Sequence, residues 1–105
     1  MKIITLCGST KFKNEFELVN EKLTLLGHIV LSVGVFVHSK QINIDSKHKV
    51  MLDQLHKKKI DLSFEIFVID VNNYIGSSTK KEINYAIVNK KKVNFYSDTN
   101  NPYFN

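Results

Sequence analysis

Apolar and polar residues change period several times along the chain, and each change marks an element. Residues 2 to 7, KIITLC, form a β-branched apolar run that GST stops, the pattern of a buried strand entering a turn. From Thr10 the apolar positions Phe12, Phe16, Val19, Leu23 and Leu26 follow steps of four, three, four and three, one face of a helix. Thr10 is expected to cap that helix and Gly27 to end it. HIVLSV, 28 to 33, reads as a second strand. Residues 34 to 46 fit a loop, a short strand or an active-site flap. Asp45 or Ser46 opens a second helix to about Leu62, with Met51, Leu52, Leu55, Lys59 and Leu62 inward or at its edge. FEIFVIDV, 64 to 71, is the most strand-like run, and NNYIGSS follows it as a loop. TKKEINYAIVN predicts a third helix with Ile83, Ala86 and Ile87 on one side, and KKVNFYS a last strand.

Strands that alternate with helices imply parallel pairing through right-handed crossovers. The expected fold is therefore α/β: a small three-layer α/β/α domain with a mainly parallel sheet of four to five strands, flavodoxin- or Rossmann-like. Residues 1–97 form the single domain and residues 98–105 a polar tail, whose Tyr103 and Phe104 suit docking on the core or on a neighbouring subunit. Ligands of such sheets bind beyond the carboxyl ends of the strands. Two segments fall there, CGSTK after the first strand and NNYIGSSTKKE after the third.

Composition narrows the function. A chain of 105 residues with 43% apolar and 24% charged residues is an ordinary globular domain with one core. All fifteen basic residues are lysines, and they exceed the acids by five. The lysine clusters in KHKVMLDQLHKKK and NKKKV read as solvated faces. They lack aromatic interleaving, so no nucleic-acid partner is expected. The apolar start is too short for a signal peptide, and no run is long enough to cross a membrane. With a lone cysteine, Cys7, a reducing cytoplasm is the expected location. His28, His38, His48 and His56 show no HxxxH or HxH spacing, so neither a metal site nor a cofactor is expected.

In GSTK a glycine, two hydroxyls and a lysine stand at a helix start, where free amides favour an anion. Ser9, Thr10 and Lys11 can hold a phosphate there, although turn and cap chemistry explains the same residues. Thr79-x-x-Glu82 has the spacing of a capping box, which would place Glu82 in the first turn of its helix. The competing reading is that an ionised Glu82 attacks an anomeric carbon, as in retaining glycosyl transfer. Asp70, at the exit of the third strand, either bonds loop amides or faces the pocket. Asn72, Asn73 and Tyr74 either line a sugar site or make a turn. Cys7 reads as a small buried residue with no base beside it.

CGST at 7–10, FVID at 67–70 and YIGSSTKKEINYA at 74–86 together resemble the nucleoside 2-deoxyribosyltransferase superfamily. The likeness is to its short bacterial and phage members and to the deoxynucleoside 5′-phosphate N-hydrolases, and it runs from Ile3 to about Val93. It implies that Glu82 is the nucleophile on C1′ of a deoxynucleoside, in a motif with Gly76, Ser78, Thr79 and Ala86. It also implies that Gly8, Ser9 and Lys11 contact sugar or 5′-phosphate, and that the chain assembles as a homodimer or larger. His56 stands where the family carries an aspartate on the second helix, and Asp53 lies one turn earlier as a substitute. Phe64 stands where an acid opens the third strand, with Glu65 next to it. The partner implied is a small nucleoside or nucleotide, and the activity is cleavage or transfer at its N-glycosidic bond. The replacements at 56 and 64 suggest the alternative, a nucleotide-binding module that senses or sequesters its ligand without efficient chemistry.

Overall fold

The computed structural model describes residues 1–104. In chain order the elements are β1 (Ile3–Gly8), a 3₁₀ turn (Thr10–Phe12), α1 (Lys13–Leu25), β2 (Ile29–Leu31), α2 (Val37–Lys40) and α3 (Ser46–Leu62). β3 (Glu65–Ile69), a second 3₁₀ turn (Val71–Asn73), α4 (Ser77–Val88) and β4 (Lys92–Phe95) complete them. The four strands form one all-parallel sheet in the order β2-β1-β3-β4. Register alternates the side chains between two faces. Ile4, Leu6, Phe67 and Ile69 face Phe16, Val19 and Leu23 of α1. Cys7, Ile66 and Val68 face Ile60 of α3 and Ala86 of α4. The result is the expected small α/β/α domain of flavodoxin or Rossmann type. Both central strands are buried on both sides, which is why they read as unbroken apolar runs.

Several local expectations are corrected. Thr10 does not cap α1: Ser9 caps the 3₁₀ turn, and α1 starts at Lys13. Gly27 does end the helix, at φ +92°, donating its amide to Thr24 O. Leu26 already lies past the helix and is half exposed. The segment 34–46 holds the short α2, closed by Gln41 in the left-handed region. Asp45 caps α3 as expected, accepting from His48 N at 2.8 Å.

The inward face of α3 differs from the one its apolar residues suggest. Met51, Leu55 and Leu62 are exposed, whereas His56 and Ile60 are buried, with Leu52 and Lys59 half-buried. At 3.6 residues per turn, the stripe 52–56–60 is centred about 120° around the helix from 51, 55 and 62. α4 starts at Ser77 with Gly76 at its N-cap and no side-chain cap bond. Thr79 is thus buried within the helix, Glu82 lies in its second turn, and no capping box forms. Ile87 points outward, and Ala86 carries the packing.

Residues near 104 pack on the domain. Tyr103 and Phe104 lie against Phe67, and Phe104 also meets Tyr96. Tyr103 Oη donates to Glu65 Oε1 at 2.7 Å. Glu65 is fully buried at the amino end of β3, and Lys2 Nζ at 3.1 Å and Asn94 Nδ2 satisfy it further. Tyr103→Phe removes one donor from this carboxylate. It is expected to cost about 2 kcal/mol, checked by urea denaturation; an unchanged midpoint would show that water replaces the phenol.

Candidate active site

A cavity of about 430 Å³ opens beyond the carboxyl ends of β1 and β3. Gly8, Ser9 and Thr10 form one wall, Tyr74, Gly76, Ser78 and Thr79 a second, and α3 a third. Glu82 from α4, and His56 and Asp53 from α3, also line it. A volume of this size suits a small organic ligand.

The titratable groups form a connected set. His56 Nε2 lies 3.8 Å from Glu82 Oε1 and 3.4 Å from Cys7 Sγ. His56 and Cys7 are buried, and the Glu82 side chain is 19% exposed. Asp53, one turn from His56, accepts from Lys49 Nζ at 2.9 and 3.1 Å. The same ammonium donates to Ser78 Oγ at 3.3 Å and so ties α3 to the start of α4. Thr10 Oγ1 meets His38 Nδ1 at 2.7 Å, which joins the first loop to α2.

Burial dominates the charge states. The Glu82 carboxyl is pushed up from 4.5 to about 7, first by burial and then by the charge of Asp53; Cys7 and Lys49 act in the opposite direction. His56 is pushed down from 6.5 to about 4 by burial and by the Lys59 ammonium, so its ring is neutral at neutral pH. Burial, with Glu82 beside it, drives the Cys7 thiol well above its usual range. The expectation of an ionised carboxylate in the first turn is thereby corrected, because Glu82 lies in the second turn of α4 and is largely buried.

A stability test follows from these shifts. A carboxyl raised from 4.5 to about 7 contributes stability that is full below pH 4.5 and is lost as pH rises through 7. The His56 contribution is full above 6.5 and is lost as pH falls through 4. Between pH 4.5 and 6.5 the two slopes oppose. Glu82→Gln removes only the carboxyl. Relative to wild type, the variant is expected to gain about 3 kcal/mol between pH 4.5 and 7, read as urea midpoints in chelated buffer. A difference that stays constant with pH would show an ordinary carboxyl.

Some sequence candidates stand apart from the cavity. Lys11 does not line the cavity; its ammonium lies 3.5 Å from the centre of the ring of Tyr74, which does. Asp70 accepts from Ser97 N and Oγ at 2.8 and 2.6 Å, fastening the end of β4. Asn72 and Asn73 adopt left-handed turn conformations, and Asn72 is not a lining residue. Phe64 is exposed at the amino end of β3, under Lys2 and remote from the cavity. Phe64 therefore adds no bulk to the site.

Lys49 and His38 were not legible as site residues. Lys49 belongs to a run that resembles a solvated face, and His38 lies in the segment without a clear period. Only the i,i+4 spacing of Lys49 and Asp53 hinted at their pairing. The pairing of Cys7 with His56 is also a correction, as is the expectation of scattered metal donors. Three donors, on Cys7, His56 and Glu82, lie within 4.8 Å of one another. Among the described residues no helix is long and apolar enough to cross a membrane. Compared with known proteins, the chain matches no family model, no curated protein and no solved structure.

Proposed function

We propose that the chain cleaves or transfers at the N-glycosidic bond of a (deoxy)nucleoside or its 5′-monophosphate, with Glu82 as nucleophile. The observation that carries this reading is the Glu82 carboxyl lining a ligand-sized cavity at the carboxyl edge of the sheet. A carboxyl near 7 is ionised in part of the molecules at neutral pH and is more basic than an exposed glutamate. Its oxygen attacks C1′, the C1′–N bond breaks, and the electron pair leaves with the base, which takes a proton from solvent. Water or a second base then opens the glycosyl ester and restores the carboxylate. His56, neutral and 3.8 Å away, orients the nucleophile. Lys49 holds Asp53 at the substrate side of α3. The hydroxyls of Ser9, Thr10 and Ser78 and the first-turn amides of α4 suit the sugar or its 5′-phosphate.

The test is intact-protein mass spectrometry after acid quench with deoxynucleosides and their 5′-monophosphates, alongside chromatography for free base. A glycosyl adduct that Glu82→Gln lacks, together with base release, supports the reading. Normal base release by that variant overturns it. The elevated Glu82 carboxyl also favours a second reading, a nucleotide-binding module that senses or sequesters its ligand, since a neutral carboxyl donates to a ligand instead of attacking it. Its signature is retained ligand with neither adduct nor base.

A further inference from the structure

Cys7 ends β1, His56 lies midway along α3 and Glu82 lies in α4, yet their donor atoms gather at one point behind the cavity. We propose that Cys7, His56 and Glu82 form a zinc site. The proposal stands whether or not the chain cleaves a nucleoside.

The geometry supports an ion at their centre. Zinc bonds of about 2.3 Å to sulfur and 2.0–2.2 Å to nitrogen or oxygen, at tetrahedral angles, set donors about 3.3–3.6 Å apart. Sγ to Nε2 is 3.4 Å and Nε2 to Oε1 is 3.8 Å, so the donors need only small side-chain shifts to close on an ion. One nitrogen, Nε2, faces both the sulfur and the carboxylate, as a shared ion requires. The donor set is sulfur, imidazole and a single carboxylate. That mixture selects zinc over magnesium or calcium, which take oxygen ligands.

The three donors leave the fourth tetrahedral position open. His56 and Glu82 line the cavity and Cys7 lies behind them, so the open position faces the cavity, which is also the ion's route in. On binding, the Cys7 thiol gives its proton to solvent and the thiolate takes the ion. Glu82 then spends a carboxylate oxygen on zinc, so zinc and attack on a sugar carbon compete for one side chain.

The experiment uses the full chain stripped with chelator. Cobalt(II) alone reports ligation through a sulfur-to-cobalt charge-transfer band, and equilibrium dialysis with zinc alone gives affinity. Wild type is expected to show the band and to take up one ion per chain. Cys7→Ser is expected to lose the band, and both Cys7→Ser and Glu82→Gln to bind zinc at least about tenfold more weakly. Circular dichroism confirms that each variant is folded, and Cys7→Ala serves if Cys7→Ser is not. Exposed His48 beside Asp45 offers zinc a weaker surface site that these substitutions leave intact. No charge-transfer band in wild type, or zinc affinity unchanged in a folded Cys7 variant, overturns the proposal. Base release is not part of either readout, so this failure is distinct from failure of the glycosidic reading.

Discussion

Glu82→Gln is expected to lower base release on the order of 10³-fold or more, with ligand affinity changed by less than about tenfold. The substitution keeps the shape of the side chain and removes its charge and nucleophilicity. The second turn of α4 fixes the backbone at this position, so the amide occupies the same place in the cavity wall. Loss of turnover with retained binding is the pattern of a group needed in the transition state and not in the ground state. His56→Asn would differ, because it touches Glu82 and Cys7 and so disturbs orientation first. Steady-state kinetics of base release, with ligand affinity measured by calorimetry, checks the prediction. An equal loss of binding would make Glu82 a binding residue.

Gly8→Ala is expected to destabilise the domain by about 4 kcal/mol, combining overpacking with backbone strain. A Cβ at Gly8 would lie 2.7 Å from the carbonyl oxygen of Ile69 and 3.3 Å from the Phe16 ring. The carbonyl belongs to Ile69, the fully buried last residue of β3, which pairs with Gly8 in the parallel ladder, so it has little room to move. Gly8 also sits at φ +152°, a conformation that side chains rarely adopt. The loss is a large part of the roughly 5–15 kcal/mol that holds a domain together. Chemical denaturation measures it directly. A fall below about 1 kcal/mol would mean that β1 and β3 can separate at this end, where the cavity wall begins.

The elements with continuous signals were the legible ones. β1 and β3 are buried on both faces, and their β-branched runs state as much without knowledge of the partners. The buried stripe of α1 announced itself because Phe16, Val19 and Leu23 are large and nothing polar interrupts them. α3 was placed as a helix but rotated. Its sheet-facing side carries a histidine, and burial of a polar ring against a thiol is decided by β1, forty-nine positions earlier. α4 was misread at its start because Thr79 and Glu82 have capping-box spacing, while Gly76 supplies the extended backbone that begins the helix. Of the site, the loop hydroxyls and Glu82 were visible as local motifs. Lys49, His38 and the pairing of Cys7 with His56 arise only from the crossing of α2, α3 and β1. Apart from the i,i+4 spacing of Lys49 with Asp53, no sequence separation marks these residues in advance.

The clasp around Glu65 has a consequence for handling the molecule. Lys2 Nζ meets Tyr103 Oη at 3.3 Å across 101 positions of chain, at the amino edge of the sheet. The cavity lies at the opposite edge. A surface tether or fluorescent label joined near residue 2 would therefore leave the cavity mouth clear, whereas one on the 34–46 segment would crowd it.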